Sequence, residues 1–234
     1  MLKLLLGRLA NSALDVIFPP RCLGCASEGS FLCDACLADA PRLSQPFCPV
    51  CAAPGFVRLC DGCRTERLAV DGIRAPFLYI DDGLIQAAIT DLKFRDIRAL
   101  APELAQLLAD YLAANPMPGE LIAPVPSHPS RLRSRGFNQA ALLARELGKI
   151  TGLPVNEELM ARTTNAPSQL RMRSRGERLR NVAGNFTCTG RVNGQAVLIV
   201  DDLATTGATI SACARELTSH GASQVWGLAV ARRG

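Results

Sequence analysis

After residue 70, two spacings of hydrophobic residues alternate along the chain, and they predict strands and helices in turn. Short apolar runs predict strands over residues 75–80, 121–126, 196–200 and 224–231. Amphipathic spacing predicts helices over 84–94, 100–114, 138–150 and 207–220, the last with Gly221 at its C-cap. Strands that alternate with helices favour a parallel sheet, so the predicted fold class is α/β.

The first residues of the chain predict one more helix. Apolar side chains recur at helical spacing over residues 2–17, and Pro19 and Pro20 end the pattern. The apolar run over 4–6 is too short for a signal sequence or a membrane-spanning helix. We therefore expect a cytoplasmic protein that does not associate with a membrane.

Eight of the ten cysteines form four C-x-x-C pairs between residues 21 and 64. Two such pairs provide the four thiolates of a tetrahedral zinc site, so four pairs predict two structural Zn²⁺ sites without an open position. A disulfide framework would need an oxidising compartment, to which no sequence signal directs the chain. Short gaps favour consecutive pairing, although interleaved pairing stays open. The predicted sites are Cys22, Cys25, Cys33 and Cys36, and then Cys48, Cys51, Cys60 and Cys63.

The change of pattern predicts two domains, an N-terminal helix with a double zinc ribbon over 1–68 and an α/β domain over 69–234. The ribbon is poor in large apolar side chains, so zinc is expected to supply its folding energy, of order 10 kcal/mol per site. The remaining cysteines, Cys188 and Cys213, are expected to be core residues.

Positive charge is concentrated in one part of the chain. The net charge is +5, yet residues 123–186 contain 11 Lys or Arg against 4 Asp or Glu, so this segment alone is +7. Arginine outnumbers lysine 23 to 3. This bias suits planar recognition of phosphate or carboxylate, and genomic base composition explains it equally well. Aromatic residues make up only 5% of the chain, which argues against a large base-stacking platform.

The stretch "LIVDDLATTGAT" at 198–209 is the main candidate site. Val200 is expected to end a buried strand, with Asp201 and Asp202 emerging at the carboxyl edge of the sheet, where such folds bind ligands. The threonine and glycine loop that follows suits one phosphate at the start of a helix. Carboxylates beside a phosphate cradle must face another part of the ligand, such as sugar hydroxyls or bound Mg²⁺. A sugar phosphate fits both requirements, because it has a phosphate for the loop and hydroxyl groups for the carboxylates.

These residues resemble the ribose-phosphate motif of type I phosphoribosyltransferases, in which two acidic residues and T-x-G-x-T follow four aliphatic residues. Three further segments extend the resemblance: "LKFRD" at 92–96, "APVPSHPSRLRSRGFNQA" at 123–140 and "ERLRNVAGNF" at 177–186. Together with the double zinc ribbon, they resemble the ComF family over nearly the whole chain. The implied fold is a parallel-sheet type I phosphoribosyltransferase fold with a small N-terminal double zinc ribbon.

The resemblance also implies roles for single residues. Asp201 and Asp202 would be the catalytic acids and contact the ribose, directly or through Mg²⁺, while 205–209 would hold the terminal phosphate. Residues 171–180 resemble the mobile loop that closes over the substrate. His128 is open to a general-base role or a structural one. The residues implied to bind phosphoribosyl diphosphate are Asp201, Asp202, Thr205, Thr206, Gly207, Ala208, Thr209, Ser127, His128, Arg133 and Arg135.

Two functions follow from this resemblance. The first is an accessory role in natural transformation, in which the protein acts on incoming single-stranded DNA with a ComFA-like helicase. The second is a working phosphoribosyltransferase of unknown acceptor. Thr205 stands where purine transferases carry an aspartate base, which argues against a purine acceptor. The chain shows no glutaminase domain and no N-terminal catalytic cysteine, so amide transfer is not expected.

Overall fold

The computed structural model describes residues 19–163, 176, 182 and 184–234 of the 234-residue chain. The helix predicted over 2–17 and the arginine-rich loop predicted over 171–180 lie outside the described residues, apart from Gly176. The strands are β1 (Gly72–Arg74), β2 (Phe77–Leu78), β3 (Leu121–Pro124), β4 (Met160–Arg162), β5 (Phe186–Cys188), β6 (Ala196–Ala204) and β7 (Gln224–Arg232). The helices are α1 (Asp34–Asp39), α2 (Asp61–Thr65), α3 (Leu84–Phe94), α4 (Leu100–Ala114), α5 (Pro129–Arg135), α6 (Gln139–Thr151) and α7 (Ala208–Ser219).

A parallel sheet forms the centre of the fold, with strand order β1-β7-β6-β3. The long strand β6 pairs with β3 on one side and with β7 on the other, and both pairs are parallel. β4 and β5 form a separate antiparallel pair. The predicted α/β class with a parallel sheet is therefore confirmed, and the helices predicted over 84–94 and 100–114 have the predicted bounds.

The strand predicted over 75–80 differs in the structure, because the chain forms two shorter strands there. β1 pairs with residues 226–228 of β7, and β2 pairs with residues 231–232 of the same strand. Pro76 lies between them. Proline has no backbone N–H to donate to the ladder, so the edge of the sheet is interrupted at this residue.

Helices and the cysteine-rich segment cover the two faces of the sheet. Val197 and Ile199 of β6 belong to one core cluster, which also contains buried residues of α7 and the β4–β5 pair. Leu198 and Val200 belong to the other cluster, with buried residues of α3, α4 and α6. Successive side chains of a strand point to opposite faces, which explains this alternation.

Five short elements are not predicted from the hydrophobic pattern: α1, α2, α5, β4 and β5. α5 has no buried residue, so it has no apolar stripe to detect. A different signal was available, because Pro129 stands at the first helical turn and Gly136 lies at the C-cap with φ +79°. β4 and β5 have only three residues each, which is too short for a clear alternation.

The eight paired cysteines gather into two clusters in the consecutive order. Within each cluster the four sulfur atoms lie within 4.8 Å of one another. The Sγ atoms of Cys25 and Cys33 are 3.6 Å apart, and those of Cys51 and Cys60 are 3.5 Å apart. Four sulfurs at about 2.3 Å from a tetrahedral zinc ion lie about 3.8 Å from each other, so both donor sets fit zinc.

The two clusters differ in how they join the rest of the protein. Cys48 and its three partners are buried in the same core cluster as the sheet and α7. Arg232 of β7 donates from Nε to the carbonyl oxygen of Cys51 at 2.7 Å. The first cluster is more exposed, and Glu103 of α4 accepts hydrogen bonds from the amides of Phe31 and Leu32 beside it. The second cluster therefore shares its core with the α/β part, and the division at residue 68 stays a prediction.

Membrane association was not expected. Among the described residues, no helix is both long enough and apolar enough to cross a bilayer.

We predict that the two zinc sites contribute unequally to stability. Cys48→Ser should lower the free energy of unfolding of the whole chain by about 3 kcal/mol or more, because it opens a site inside the shared core. Cys25→Ser, at an exposed ligand of the first site, should cost clearly less. Urea unfolding followed by circular dichroism, with the zinc content of each variant measured, tests this. Equal losses would contradict the shared core.

Candidate functional site

The predicted phosphate loop joins the end of β6 to the start of α7. Gly207 precedes the helix with φ +79°, a conformation that favours glycine. A Cβ atom there would also lie 2.7 Å from Cδ1 of Ile73 and 3.0 Å from Cδ1 of Leu68. The hydroxyl of Thr206 accepts a hydrogen bond from the amide of Ala208 at 3.4 Å. The first amides of a helix have no acceptor within it, so this loop can accept an anion.

The two aspartates lie inside β6, because the strand continues to Ala204 rather than ending at Val200 as predicted. Neighbouring strand residues point to opposite faces, so the two carboxylates diverge. Asp201 is partly exposed, whereas only 2% of Asp202 is exposed. Oδ1 of Asp201 accepts a hydrogen bond from the amide of Asp202 at 2.9 Å. The expectation that both contact one ribose stays a prediction, and only Asp201 is partly open to solvent.

A lysine that the sequence reasoning missed pairs with Asp202. Nζ of Lys93, in the last turn of α3, lies 2.6 Å from Oδ1 of Asp202. The second oxygen, Oδ2, is buried and has no hydrogen-bond partner among the described residues. Lys93 belongs to the "LKFRD" segment and is one of only three lysines in the chain. The sequence contained one signal for this residue, because Lys93 stands among the apolar residues of a buried helix.

Burial and neighbouring charges change the pKa of Asp201. Burial raises the pKa of the Asp201 carboxyl to about 7, and the negative charge of Asp202 acts in the same direction. The ammonium of Lys93 and the hydrogen bond from the Asp202 amide lower that pKa in part. The pKa of the Asp201 carboxyl therefore lies near neutral pH. In that pH range, a cation or a hydroxyl group bound beside Asp201 would change the charge of its carboxyl group.

The loop after β3 forms a second side of the site. β3 and β6 are adjacent and parallel, so their carboxyl ends share one edge of the sheet. Ser127 donates from its hydroxyl to Oδ1 of Asn138 at 2.9 Å, and Nδ2 of Asn138 donates to the carbonyl oxygen of Val125. These bonds fix the loop against the start of α6, beside the phosphate loop.

His128 caps α5. Its Nδ1 accepts from the amide of Ser130 at 3.0 Å, which places the proton of a neutral ring on Nε2. Burial lowers the pKa of His128, and the positive charges of Arg162, Arg133 and Arg131 lower it further. A capping imidazole that is neutral and protonated on Nε2 favours the structural role over the general-base role.

Several arginines converge beside this loop. Arg131 and Arg133 lie on the exposed side of α5, and Arg162 of β4 stacks over the ring of Phe186 at 5.5 Å. Burial and the charge of Arg131 lower the pKa of Arg162, and its Nε is buried without a partner in the described structure. In the part of the chain that the structure describes, these three arginines form no ion pair. Cations that repel one another without a carboxylate are typical of an anion site.

Arg135 was the other predicted counter-charge. Burial lowers the pKa of its guanidinium, while the negative charge of Asp202 acts in the opposite direction. Its guanidinium lies 5.3 Å from the ring centre of Phe94, and Nη1 donates to Gln139 at 2.6 Å. Arg135 therefore belongs to the acidic side of the site, whereas Arg133 belongs to the arginine group.

A groove of about 950 Å³ adjoins the loop after β3. Ser127, Asn138 and Arg162 are among its lining residues, and neither aspartate lines it. Arg162 thus belongs both to this groove and to the arginine group. At one sheet edge, the described residues combine carboxylates, a helix start with hydroxyl groups, and unpaired cations. This combination suits a ligand with sugar hydroxyls and several phosphates.

Comparison with known proteins gives relatives over most of the chain. The double zinc ribbon domain family matches residues 13–67. DNA utilization protein YhgH of Escherichia coli (strain K12) is 31% identical over 209 residues, which cover 83% of this chain and 88% of that protein. Competence protein F of Haemophilus influenzae is 29% identical over 89% of this chain and 96% of its own length. Competence protein ComFC of Bacillus subtilis is 26% identical over 81% and 79%.

Solved structures are similar to about half of the chain. Glutamine phosphoribosylpyrophosphate amidotransferase from B. subtilis, complexed with ADP and GMP, has a TM-score of 0.39 and 19% identity. The match covers 56% of this chain and only 26% of that chain. The hypoxanthine phosphoribosyltransferase of Trypanosoma cruzi has a TM-score of 0.30 and 20% identity, with 57% and 65% covered.

The predicted α/β class is confirmed. The chain combines a parallel sheet with a small N-terminal double zinc ribbon, and the two cysteine clusters fit the zinc-binding sites of that ribbon. The type I phosphoribosyltransferase fold of the α/β part stays a prediction.

We predict that Lys93→Met destabilises the protein by about 3 kcal/mol, because it leaves the buried Asp202 carboxylate without its counter-charge. Lys149→Met is the matched control. Lys149 pairs with Glu146 on the surface, with 68% of its side chain exposed, and its loss should cost less than about 1 kcal/mol. Urea unfolding of both variants measures the difference. Similar losses would show that the Lys93 pair contributes no more than a surface pair.

The raised pKa of Asp201 predicts a pH dependence of stability. Folding strengthens proton binding here, so the contribution of Asp201 is fully present below the unfolded pKa of about 3.8 and is lost as the pH rises through about 7. Asp201→Asn should therefore gain stability relative to the wild type between pH 5 and pH 8, as urea unfolding would measure. Asp110→Asn, at an exposed residue of α4, should show no such gain. A constant difference for Asp201→Asn would contradict the shift.

Proposed function

Because the chain belongs to the ComF family, whose members include competence and DNA utilization proteins, we propose that it binds phosphoribosyl diphosphate and acts as an accessory in the uptake of single-stranded DNA. The proposed setting is the cytoplasm, with a ComFA-like helicase as partner. Both halves of this proposal rest on the site at the carboxyl edge of the sheet and on the surplus of positive charge in residues 123–186.

The main support for the proposal is the arrangement of charged and polar groups along the carboxyl edge of the sheet. The loop over 205–209 and the first turn of α7 would hold the terminal phosphate. Asp201, which is partly exposed, would accept hydrogen bonds from the ribose hydroxyls. The diphosphate would then extend toward the Ser127–His128 loop, where Arg131, Arg133 and Arg162 supply cations that are not paired in the described structure.

Asp202 would act differently from its neighbour in this arrangement. Its carboxylate is buried against Lys93, so it would influence the ribose site through its charge on Asp201 rather than through direct contact. The pair also keeps the net charge of the acidic side near one negative charge instead of two. That reduces repulsion of a ligand that carries several phosphate charges.

Mg²⁺ is the proposed companion of the ligand. Mg²⁺ sites in proteins commonly use one or two carboxylates together with substrate phosphates. Asp201 fits this pattern, because it would provide a single carboxylate at the edge of the proposed phosphate site. When bound, the ion would supply positive charge between that carboxylate and the diphosphate.

An active phosphoribosyltransferase of unknown acceptor is the second candidate function, favoured by the combination of acids and threonines in 201–209. The acceptor would form a bond to C1 of the ribose and lose a proton, while the bond from C1 to the diphosphate oxygen breaks. Arg131, Arg133 and Arg162 would stabilise the charge of the departing diphosphate. Thr205 argues against a purine acceptor, and amide transfer is not proposed.

We predict that calorimetric titration with phosphoribosyl diphosphate and Mg²⁺ gives micromolar binding to the zinc-loaded protein. Asp201→Asn should weaken it at least about tenfold, since hydrogen bonds to a charged group contribute about 1.5–3 kcal/mol. Arg162→Gln should weaken phosphoribosyl diphosphate but not ribose 5-phosphate, which lacks the diphosphate, whereas Thr209→Val should weaken both. Lys149→Met is the surface control and should bind normally.

Three results would change the proposal in different ways. No binding to a folded, zinc-loaded protein would remove the sugar phosphate from the function and leave the DNA role to be explained elsewhere. Binding accompanied by release of diphosphate with a candidate acceptor would favour the second candidate function, a transferase. Normal affinity of Arg162→Gln for phosphoribosyl diphosphate would show that the diphosphate does not reach the arginines.

A further inference from the structure

A second groove lies away from the sugar phosphate site, between the second zinc cluster and the edge of the sheet. Its volume is about 450 Å³, and four aromatic side chains from separate parts of the chain line it: Phe47, Phe56, Tyr111 and Trp226. The chain has 8 phenylalanines, 2 tyrosines and 1 tryptophan. The low aromatic content argued against a stacking platform, but the fold concentrates more than a third of these rings around one groove.

Arg74 of β1 supplies the charge of this groove. Its guanidinium lies 5.3 Å from the ring centre of Phe47 and 5.1 Å from that of Trp226. Nη1 donates to the carbonyl oxygens of Pro49 and Ile73 at 2.9 and 2.8 Å, so the group is held in place by neutral acceptors. No acidic side chain lines the groove. The cation therefore attracts an anionic partner, and aromatic faces beside it strengthen such contacts.

All four rings are partly open to solvent, and the ring of Trp226 also packs on a neighbouring strand. A Cβ atom at Gly72 would lie 2.5 Å from Cζ3 of Trp226, so the indole ring packs closely on the backbone of β1. Phe47, Tyr111 and Trp226 are half-buried, and 36% of Phe56 is exposed. Val57, at the rim, is 83% exposed. A ring that is packed in this way and still partly exposed, as Trp226 is, loses little entropy when it stacks on a ligand.

We propose that this groove binds single-stranded DNA by stacking unpaired bases on Trp226, Phe47 and Phe56, with Arg74 drawing in the phosphate backbone. The inference rests on the proposed function, which names single-stranded DNA as a partner, and adds the surface that would contact it. Single strands expose their base faces, and aromatic side chains stack on them with little regard to sequence. A duplex hides those faces, so it should bind poorly in this groove.

A proline-rich peptide is the other ligand that aromatic grooves often bind. The charges favour DNA over such a peptide. Arg74 is the charged side chain of the lining, and the amides of Gln45 and Asn115 offer both donors and acceptors for base edges. A neutral peptide has no net charge for this arginine to attract, whereas a phosphate backbone has.

Trp226 makes the test local, because it is the only tryptophan of the chain and lines the groove. A short oligothymidylate, titrated into the full-length zinc-loaded protein, should quench its fluorescence, and the same sequence as a duplex should quench it far less. Phe56→Ala should weaken binding at least about fivefold, the lower end for one lost stacking contact. Ile80→Ala, at an apolar residue outside the groove that is 47% exposed against 36% for Phe56, should bind like the wild type.

A charge change at the rim separates DNA from a peptide. Val57→Lys should strengthen oligothymidylate binding and Val57→Asp should weaken it, and neither should disturb folding at a position that is 83% exposed. A neutral proline-rich peptide would be indifferent to both substitutions. Quenching by that peptide and not by the oligonucleotide would overturn the inference. Binding of labelled oligonucleotide without any change at Trp226 would overturn it as well.

Calorimetric titration of the same samples with phosphoribosyl diphosphate distinguishes a failure of this inference from a failure of the proposed function. If phosphoribosyl diphosphate binds and the oligonucleotide does not quench Trp226, the groove assignment fails and the sugar phosphate site stands. If the oligonucleotide quenches Trp226 and phosphoribosyl diphosphate does not bind, the groove assignment stands and the sugar phosphate part of the proposed function fails.

Discussion

Burial of the second cysteine cluster in the core of the sheet is the constraint on which the rest of the structure depends. The backbone carbonyl of Cys51 accepts a hydrogen bond from Arg232 at the end of β7. Leu68 and Ile73 share the core with the cluster, and their side chains leave no room for a Cβ atom at Gly207. A metal-binding segment, the edge of the sheet and the phosphate loop are therefore packed as one unit. The ribbon is part of the site's support rather than an appendage.

The period of a β-strand explains the second feature of the site. In β6, Asp201 and Asp202 are neighbours in the chain and belong to opposite faces of the sheet. The Asp201 carboxylate stays partly exposed near the carboxyl end of the strand, while that of Asp202 is buried and paired with Lys93. In the proposed function, the two adjacent acids would therefore have different roles, Asp201 through contact with the ligand and Asp202 through its charge.

The two proposed ligand surfaces lie at opposite ends of the parallel sheet. The phosphate loop follows the carboxyl end of β6, whereas Trp226 is near the amino end of β7 and pairs with Gly72 of β1. Strands in a parallel sheet share one direction, so these ends are separated by the length of the strands. The sugar phosphate site and the aromatic groove can therefore be altered independently, and only the common core connects them.

Local patterns in the sequence determined the parallel α/β class, the bounds of α3 and α4, the four C-x-x-C pairs and the loop at 205–209, because each depends on neighbours within a few residues. The tertiary structure decided which distant residues meet. Lys93 reaches Asp202 across more than a hundred residues, Arg162 joins the arginines of α5, and four scattered aromatic rings line one groove together with Arg74. Periodicity and spacing do not encode such pairings, since they arise only when strands far apart in the chain are set in register and their helices pack on the sheet.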